Sequence, residues 1–258
     1  MLNRIMQSRT TSLFGFEFDC LTLQQAVARV LELVDEGQLG QYVVTPNLDH
    51  AVILHRNPKL QEIYQQAALV LADGWPVISA SKYFGSRLPE RVAGSDLVPA
   101  VFEATTKPLR AYLLGAPPGV AQTAAKKVEE AFPNVQVVGT QCPPYGFEND
   151  PDANETAVRQ VAEVAPDILV VGLGAPKQEL WTYRERHRLN AKVIFCVGAT
   201  IEFLAGAKSR APIWCQRYRL EWAHRIITDP RRLARRYAVD AMMLPVLIAK
   251  QIQRGMGK

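Results

Sequence analysis

The sequence predicts an α/β fold: a mostly parallel β-sheet flanked by helices, followed by a basic helical appendage. Three observations carry that prediction. Six short apolar runs alternate with helical patterns over residues 42–200. The runs are rich in β-branched residues and lack period-two alternation, as expected of strands buried on both faces. The composition then changes: residues 208–258 hold 12 Lys and Arg against 3 Asp and Glu, whereas residues 1–207 hold 18 against 22.

The strands follow in order. YVVTPN (42–47) is the first and ends in a turn; LVLADG (69–74) is the second. RAYLLGAPPG (110–119) is the third and leads into the helical VAQTAAKKVEEAF. VQVVGT (135–140), DILVVGLGAPKQE (167–179) and KVIFCVGAT (192–200) complete the set. Helical stretches between them make repeated βαβ units. After Gly206 no strand pattern remains; the tail reads as helices, broken near Asp229 and Pro230 and with a kink expected at Pro245.

At 258 residues with 48% apolar side chains, the chain can build a large core, and 21% charged residues is a globular composition. The four cysteines are widely spaced, with no CxxC and no zinc-like Cys/His cluster, which fits free thiols in a reducing compartment. No signal-like segment appears, and no apolar run reaches the roughly 18–20 residues needed to span a bilayer. A cytoplasmic protein, free to lie on a membrane, is the expectation. The basic tail calls for an anionic partner: phosphate groups, acidic lipid or nucleic acid.

In open α/β sheets, ligands bind outside the carboxyl ends of the strands. The candidates are therefore Thr45, Pro46 and Asn47; Asp73 and Gly74; Gly115; Gly139 and Thr140; Gly172 to Gly174; and Gly198 to Thr200. Asp73 stands out, since a carboxylate at the end of an apolar strand is costly unless something uses it. The loops at Gly115 and Gly174 each precede a helix and offer backbone N–H groups to a phosphate. Neither is GxGxxG or a Walker loop. Asp150 and Asp152 form the one Asp-x-Asp, but Asp152 reads as a helix N-cap rather than a metal ligand. In the tail, Arg232, Arg235 and Arg236 share a helix face, and Val239, Met242, Met243 and Val246 follow i, i+3, i+4, i+7. That pattern suits an interfacial helix or one packed on the core, and it serves a homo-oligomer as readily as lipid.

TPNLDH (45–50), ADGWPV (72–77), LPERVAGSDL (88–97), LLGAPPG (113–119), GTQCPPYGF (139–147), GLGAPKQE (172–179) and the segment 205–237 run in an order that resembles the WecG/TagA/CpsF family, glycosyltransferase family 26. The details look closest to its GumM-like exopolysaccharide branch. The resemblance implies a Rossmann-like catalytic core (1–206) completed by the appendage (207–258). It implies an inverting, metal-independent hexosyltransferase that needs no cofactor and works at the inner face of the cell membrane. A UDP-sugar would be the donor and a polyprenyl-pyrophosphate-linked saccharide the acceptor. Glucose is the expected sugar, with N-acetylmannosamine or its uronic acid as the alternative.

The same resemblance assigns roles. Asp73 would be the base, a role that partial desolvation favours. Thr45 and Asn47 would orient sugar hydroxyls, and Gln178 would contact the donor. Arg217 and Arg225, with Arg210 and Arg91 less closely matched, would meet the diphosphate charge alongside backbone N–H groups at Gly115 and Gly174. Asp96 and Glu90 are rival carboxylates. Two other classes share some features: a non-catalytic nucleotide-sensing membrane module, and a nucleic-acid binder. The acidic core and the apolar stripe beside the arginines argue against nucleic acid.

Overall fold

The computed structural model describes residues 9–85, 87–209, 211, 212, 215, 227 and 230–256. All six anticipated strands form: β3 (Gln41–Val44), β4 (Leu69–Val70), β5 (Leu109–Gly115), β6 (Val135–Gln141), β7 (Ile168–Gly172) and β8 (Val193–Cys196). They make one parallel sheet in the order β4-β3-β8-β7-β5-β6. The protein is an α/β fold with helices on both faces, as the sequence predicts.

The strands are apolar throughout because each face has its own core. Tyr42, Val44, Tyr112, Leu114, Leu169, Val171 and Ile194 belong to one cluster. Their neighbours Val43, Ala111, Leu113, Ile168, Val170, Val193 and Phe195 belong to the other. On the second face lie α1 (Leu23–Glu36), α5 (Gly94–Ala104), α6 (Val120–Ala131) and α9 (Thr200–Leu204). On the first lie α2 (Leu48–Arg56), α3 (Gln61–Gln65), α4 (Trp75–Tyr83), α7 (Pro151–Val164) and α8 (Lys177–Glu185). Local chemistry starts these helices. Thr22 and Gln25 form a capping box on α1, and Gly37 closes it in the left-handed region. Asp150, not Asp152, caps α7, accepting from the N–H groups of Asp152 and Ala153. Pro151 at the first helical position shifts the cap one residue before it.

A hairpin absent from the sequence expectations precedes the sheet: β1 (Thr10–Leu13) pairs antiparallel with β2 (Phe16–Asp19). Its turn residues Phe14 and Gly15 both have positive φ, 53° and 93°. A two-residue turn of this kind matches strand twist but normally selects Asn or Gly at its first position, so Phe14 hides the signal. The structure supports it from afar. Gln251 accepts from Phe14 N–H at 2.9 Å and donates to the Ser12 carbonyl at 3.1 Å.

Gln251 lies on α10 (Pro230–Met256), a long helix that begins at the expected proline and runs through Pro245. It packs against α2, burying Leu233, Asp240 and Leu247. The anticipated apolar stripe divides: Val239 and Met243 pack on the core, whereas Met242 is 68% and Val246 40% exposed. Among the described residues no helix is long and apolar enough to cross a membrane.

Candidate active site

The carboxyl ends of the strands surround a cleft of about 1250 Å³. Thr45, Asn47, Asp73, Gly115, Gly174, Gln178 and Gly198 all line it. One group of strand-end candidates does not. Gly139 and Thr140 lie on the edge strand β6, and a Cβ on Gly139 would sit 2.4 Å from the Tyr112 ring, so that glycine serves packing. The following segment, Cys142 to Tyr145, reaches the cleft instead. Gly115 lines the cleft and also lets two strand ends approach. Its φ is 111°, and an added Cβ would meet the Gly172 carbonyl at 2.5 Å.

Asp73 follows β4 and is held beside the first strand end, its N–H donating to the Pro46 carbonyl at 3.1 Å. Arg91, expected to meet diphosphate, here spans two carboxylates. Its Nη1 donates to Asp73 Oδ1 at 3.3 Å and its Nη2 to Asp96 Oδ2 at 2.8 Å. Asp73 is therefore set by an ion pair as well as by partial burial. Of the rival carboxylates, Asp96 is in the first turn of α5 and lines the cleft. Glu90 accepts from the Leu23 N–H at the start of α1, and it is not among the residues lining the cleft.

Thr45 is buried, and Asn47 caps α2. Gln178, which lines the cleft, is also buried. Its Oε1 accepts from the N–H groups of Gly174 and Gly198, at 3.2 and 3.0 Å, and its Nε2 donates to Glu179 at 2.9 Å. It ties the ends of β7 and β8 together, so the Gly174 amide expected to meet a phosphate is already engaged. Behind it, Glu179 faces His50, whose ring also contacts Asn47. Sequence reasoning passed over this pair. The one available signal was spacing: Asn47-x-x-His50 has the geometry of a capping box, which places a side chain at the third helical position against the cap.

Three more cations, Lys177, Lys208 and Arg236, line the cleft. Lys177 pairs with Glu148 at 3.1 Å and stands 4.3 Å over the ring of Tyr145, which is 99% exposed. Lys208 pairs with Glu202, and Arg236 of α10 approaches Asp49 at 3.7 Å. Leu233 and Arg236 line the cleft, so the tail helix forms part of its wall. Arg210, Arg217 and Arg225 lie outside the described residues. Among the described residues no three His, Cys, Asp or Glu side chains are grouped to hold a metal, and Asp150 is occupied as a helix cap.

The model of the glycosyl transferase WecG/TagA/CpsF family matches residues 11–257. The chain belongs to this glycosyltransferase family. Similar curated proteins agree in length as well as in sequence. A protein of Bacillus spizizenii is 30% identical over 209 residues, covering 81% of this chain and 79% of its own. Proteins of Staphylococcus aureus strains MRSA252 and NCTC 8325 are 28% and 27% identical over 241 residues, covering 93% of this chain and 92% of theirs. All three are named N-acetylglucosaminyldiphosphoundecaprenol N-acetyl-beta-D-mannosaminyltransferase. Within the family, these names correspond to the N-acetylmannosamine alternative rather than to the glucose expectation.

Proposed function

We propose that this family member transfers N-acetylmannosamine from a UDP-sugar to a hydroxyl of N-acetylglucosamine carried on a polyprenyl diphosphate. The observation that carries this reading is the convergence of Thr45, Asn47 and Asp73 on one cleft, in a chain that spans nearly the whole length of relatives named for that transfer.

In this reading Asp73 accepts the proton of the attacking hydroxyl. The oxygen forms its bond to the anomeric carbon on the face opposite the phosphate, the carbon–phosphate-oxygen bond breaks, and UDP leaves with the electron pair. The configuration inverts. Arg91 holds Asp73 in place through one carboxylate oxygen, and Thr45 and Asn47 orient sugar hydroxyls. Charge developing on UDP needs cations or N–H donors. Lys177 and Lys208 line the cleft, with Arg210, Arg217 and Arg225 assigned the same duty from the tail. The exposed Met242, Val246 and Ile252 of α10 form the face assigned to an anionic membrane surface, where a lipid-linked acceptor would be met.

The test is a panel of UDP-sugars with a short-chain lipid-diphosphate N-acetylglucosamine acceptor, run with and without excess chelator. The expected result is product from UDP-N-acetylmannosamine, β-linked, in both conditions. A panel in which UDP-glucose is the preferred donor returns the exopolysaccharide reading, and loss of activity in chelator removes the metal-independent mechanism.

A further inference from the structure

Asn47 and Gln178 are joined at the wall of the cleft by His50, which also lines it, and Glu179, two buried residues with no role in the steps above. His50 sits at the third position of α2. Its Nδ1 is 2.9 Å from Asn47 Oδ1, and its Nε2 is 3.4 Å from Glu179 Oε1. That same glutamate oxygen accepts from Gln178 Nε2 at 2.9 Å. Glu179 is 1% exposed, and its Oε2 has no hydrogen-bond partner among the described residues.

The atoms nearest the two ring nitrogens, Asn47 Oδ1 and Glu179 Oε1, are both acceptors. An ionised carboxylate only accepts, and so does an amide oxygen. An imidazole satisfies two acceptors only when each ring nitrogen carries a proton. In the capping box a neutral Nδ1 would instead accept from the Asn47 N–H, and the His50 backbone N–H donates to Asn47 Oδ1, but both contacts are 3.4 Å, longer than the 2.9 Å from Nδ1 to Oδ1. A positive charge beside Glu179 also offsets the cost of burying an ionised carboxylate. An amide held by its oxygen turns its NH2 group the other way, and Asn47 lines the cleft, its Cβ placed close to Gly74 beside Asp73.

We propose that His50 is a positioning residue. As an imidazolium held between Glu179 and Asn47, it fixes the Asn47 carboxamide oxygen-inward. The NH2 group then faces the cleft as a donor to a sugar hydroxyl or acyl oxygen next to Asp73. This rests on the proposed function only for the identity of the substrate oxygen.

The groups around His50 favour the charged ring. Burial works against it, but the hydrogen bond and charge of Glu179 on α8, then Asp49 and Asp73, raise its proton affinity above that of an ordinary histidine. Tyr64 of α3 faces the ring edge-on at 6.5 Å, and Cys196 of β8 lies near Glu179. From α10 come Asp240 and Arg236, the latter partly offset by Asp49.

The experiment is an NMR titration of the full chain, paired with kinetics. The His50 ring should titrate above the usual histidine range, and the Asn47 side-chain NH2 resonances should move with the same midpoint. Glu179→Gln, close to isosteric, should lower that midpoint. His50→Ala should reduce kcat on the order of ten- to hundredfold while UDP affinity stays within about twofold. In an Asn47→Ala background the same change should have no further effect. Asn47 resonances indifferent to the His50 titration, or a full His50→Ala loss in the Asn47→Ala background, overturn the proposal. If His50→Ala does not fold, the Glu179→Gln midpoint decides. Wild-type turnover in Asn47→Ala overturns the donor role. A wild-type protein that moves no sugar counts against the proposed function instead, and the NMR result still decides the clamp.

Discussion

Arg91 and Asp73 face each other at the cleft, Nη1 to Oδ1 at 3.3 Å, and the second nitrogen of the same guanidinium reaches Asp96 at 2.8 Å. A planar fork between two carboxylates is a geometric constraint that lysine does not reproduce. It holds the loop after β4 against the start of α5 and aims the carboxylate assigned to proton transfer.

Asp73→Asn keeps an oxygen for Arg91 and removes the proton acceptor. Turnover should fall by about 10²–10⁴-fold, with UDP affinity in calorimetry unchanged. Comparable turnover in the variant would move the base elsewhere, with Asp96 next in line by position.

Gly115→Ala should destabilise the fold by about 1–3 kcal/mol. The new Cβ would lie 2.5 Å from the Gly172 carbonyl at a φ of 111°, and neither backbone can withdraw without parting β5 from β7. A shifted denaturant midpoint with unchanged slope is the expected signature.

Gln251→Ala removes both side-chain bonds to the β1–β2 turn. The expected loss is about 1–2 kcal/mol, since the Phe14 N–H loses its partner. Faster amide exchange at Phe14 and Ser12 should accompany it. Exchange unchanged across the hairpin would show that the turn needs no help from the tail helix.

Asp240 links stability to pH. Burial, reinforced by Asp49, pushes its pKa up to about 6 from an ordinary 3.8. Its Oδ1 has no partner among the described residues. Between those two values the folded chain binds more protons than the unfolded one, so this group lowers stability as pH rises through the window. Asp240→Asn should therefore stabilise the protein near neutral pH, by on the order of 1–3 kcal/mol, with little gain below about pH 4. Melting curves of both proteins from pH 4 to 8 test the sign.

Much of the site was legible because parallel strands are apolar and end abruptly. Val43-Val44 and Leu69-Val70 announce themselves, so Thr45, Asn47 and Asp73 were placed at the cleft by counting past the strands. The same counting stopped short at Gly139 and Thr140, because β6 runs on to Gln141 and only the segment after it, from Cys142, reaches the cleft. Nor does a glutamine in a first helical turn, which the family resemblance assigns to the donor and which lines the cleft, reveal that the ends of two strands lie within reach of its oxygen.

By itself, then, the sequence determined the class of fold, the six strands, the family motifs and the basic tail, all of which depend on local composition and order. Only the tertiary structure decided the pairings. Arg91 between Asp73 and Asp96, His50 between Asn47 and Glu179, and Gln251 on the Phe14 turn each join residues brought together by folding. Hydrogen bonds and ion pairs act over about 3 Å, a distance that chain order does not encode and that sheet order and helix docking set.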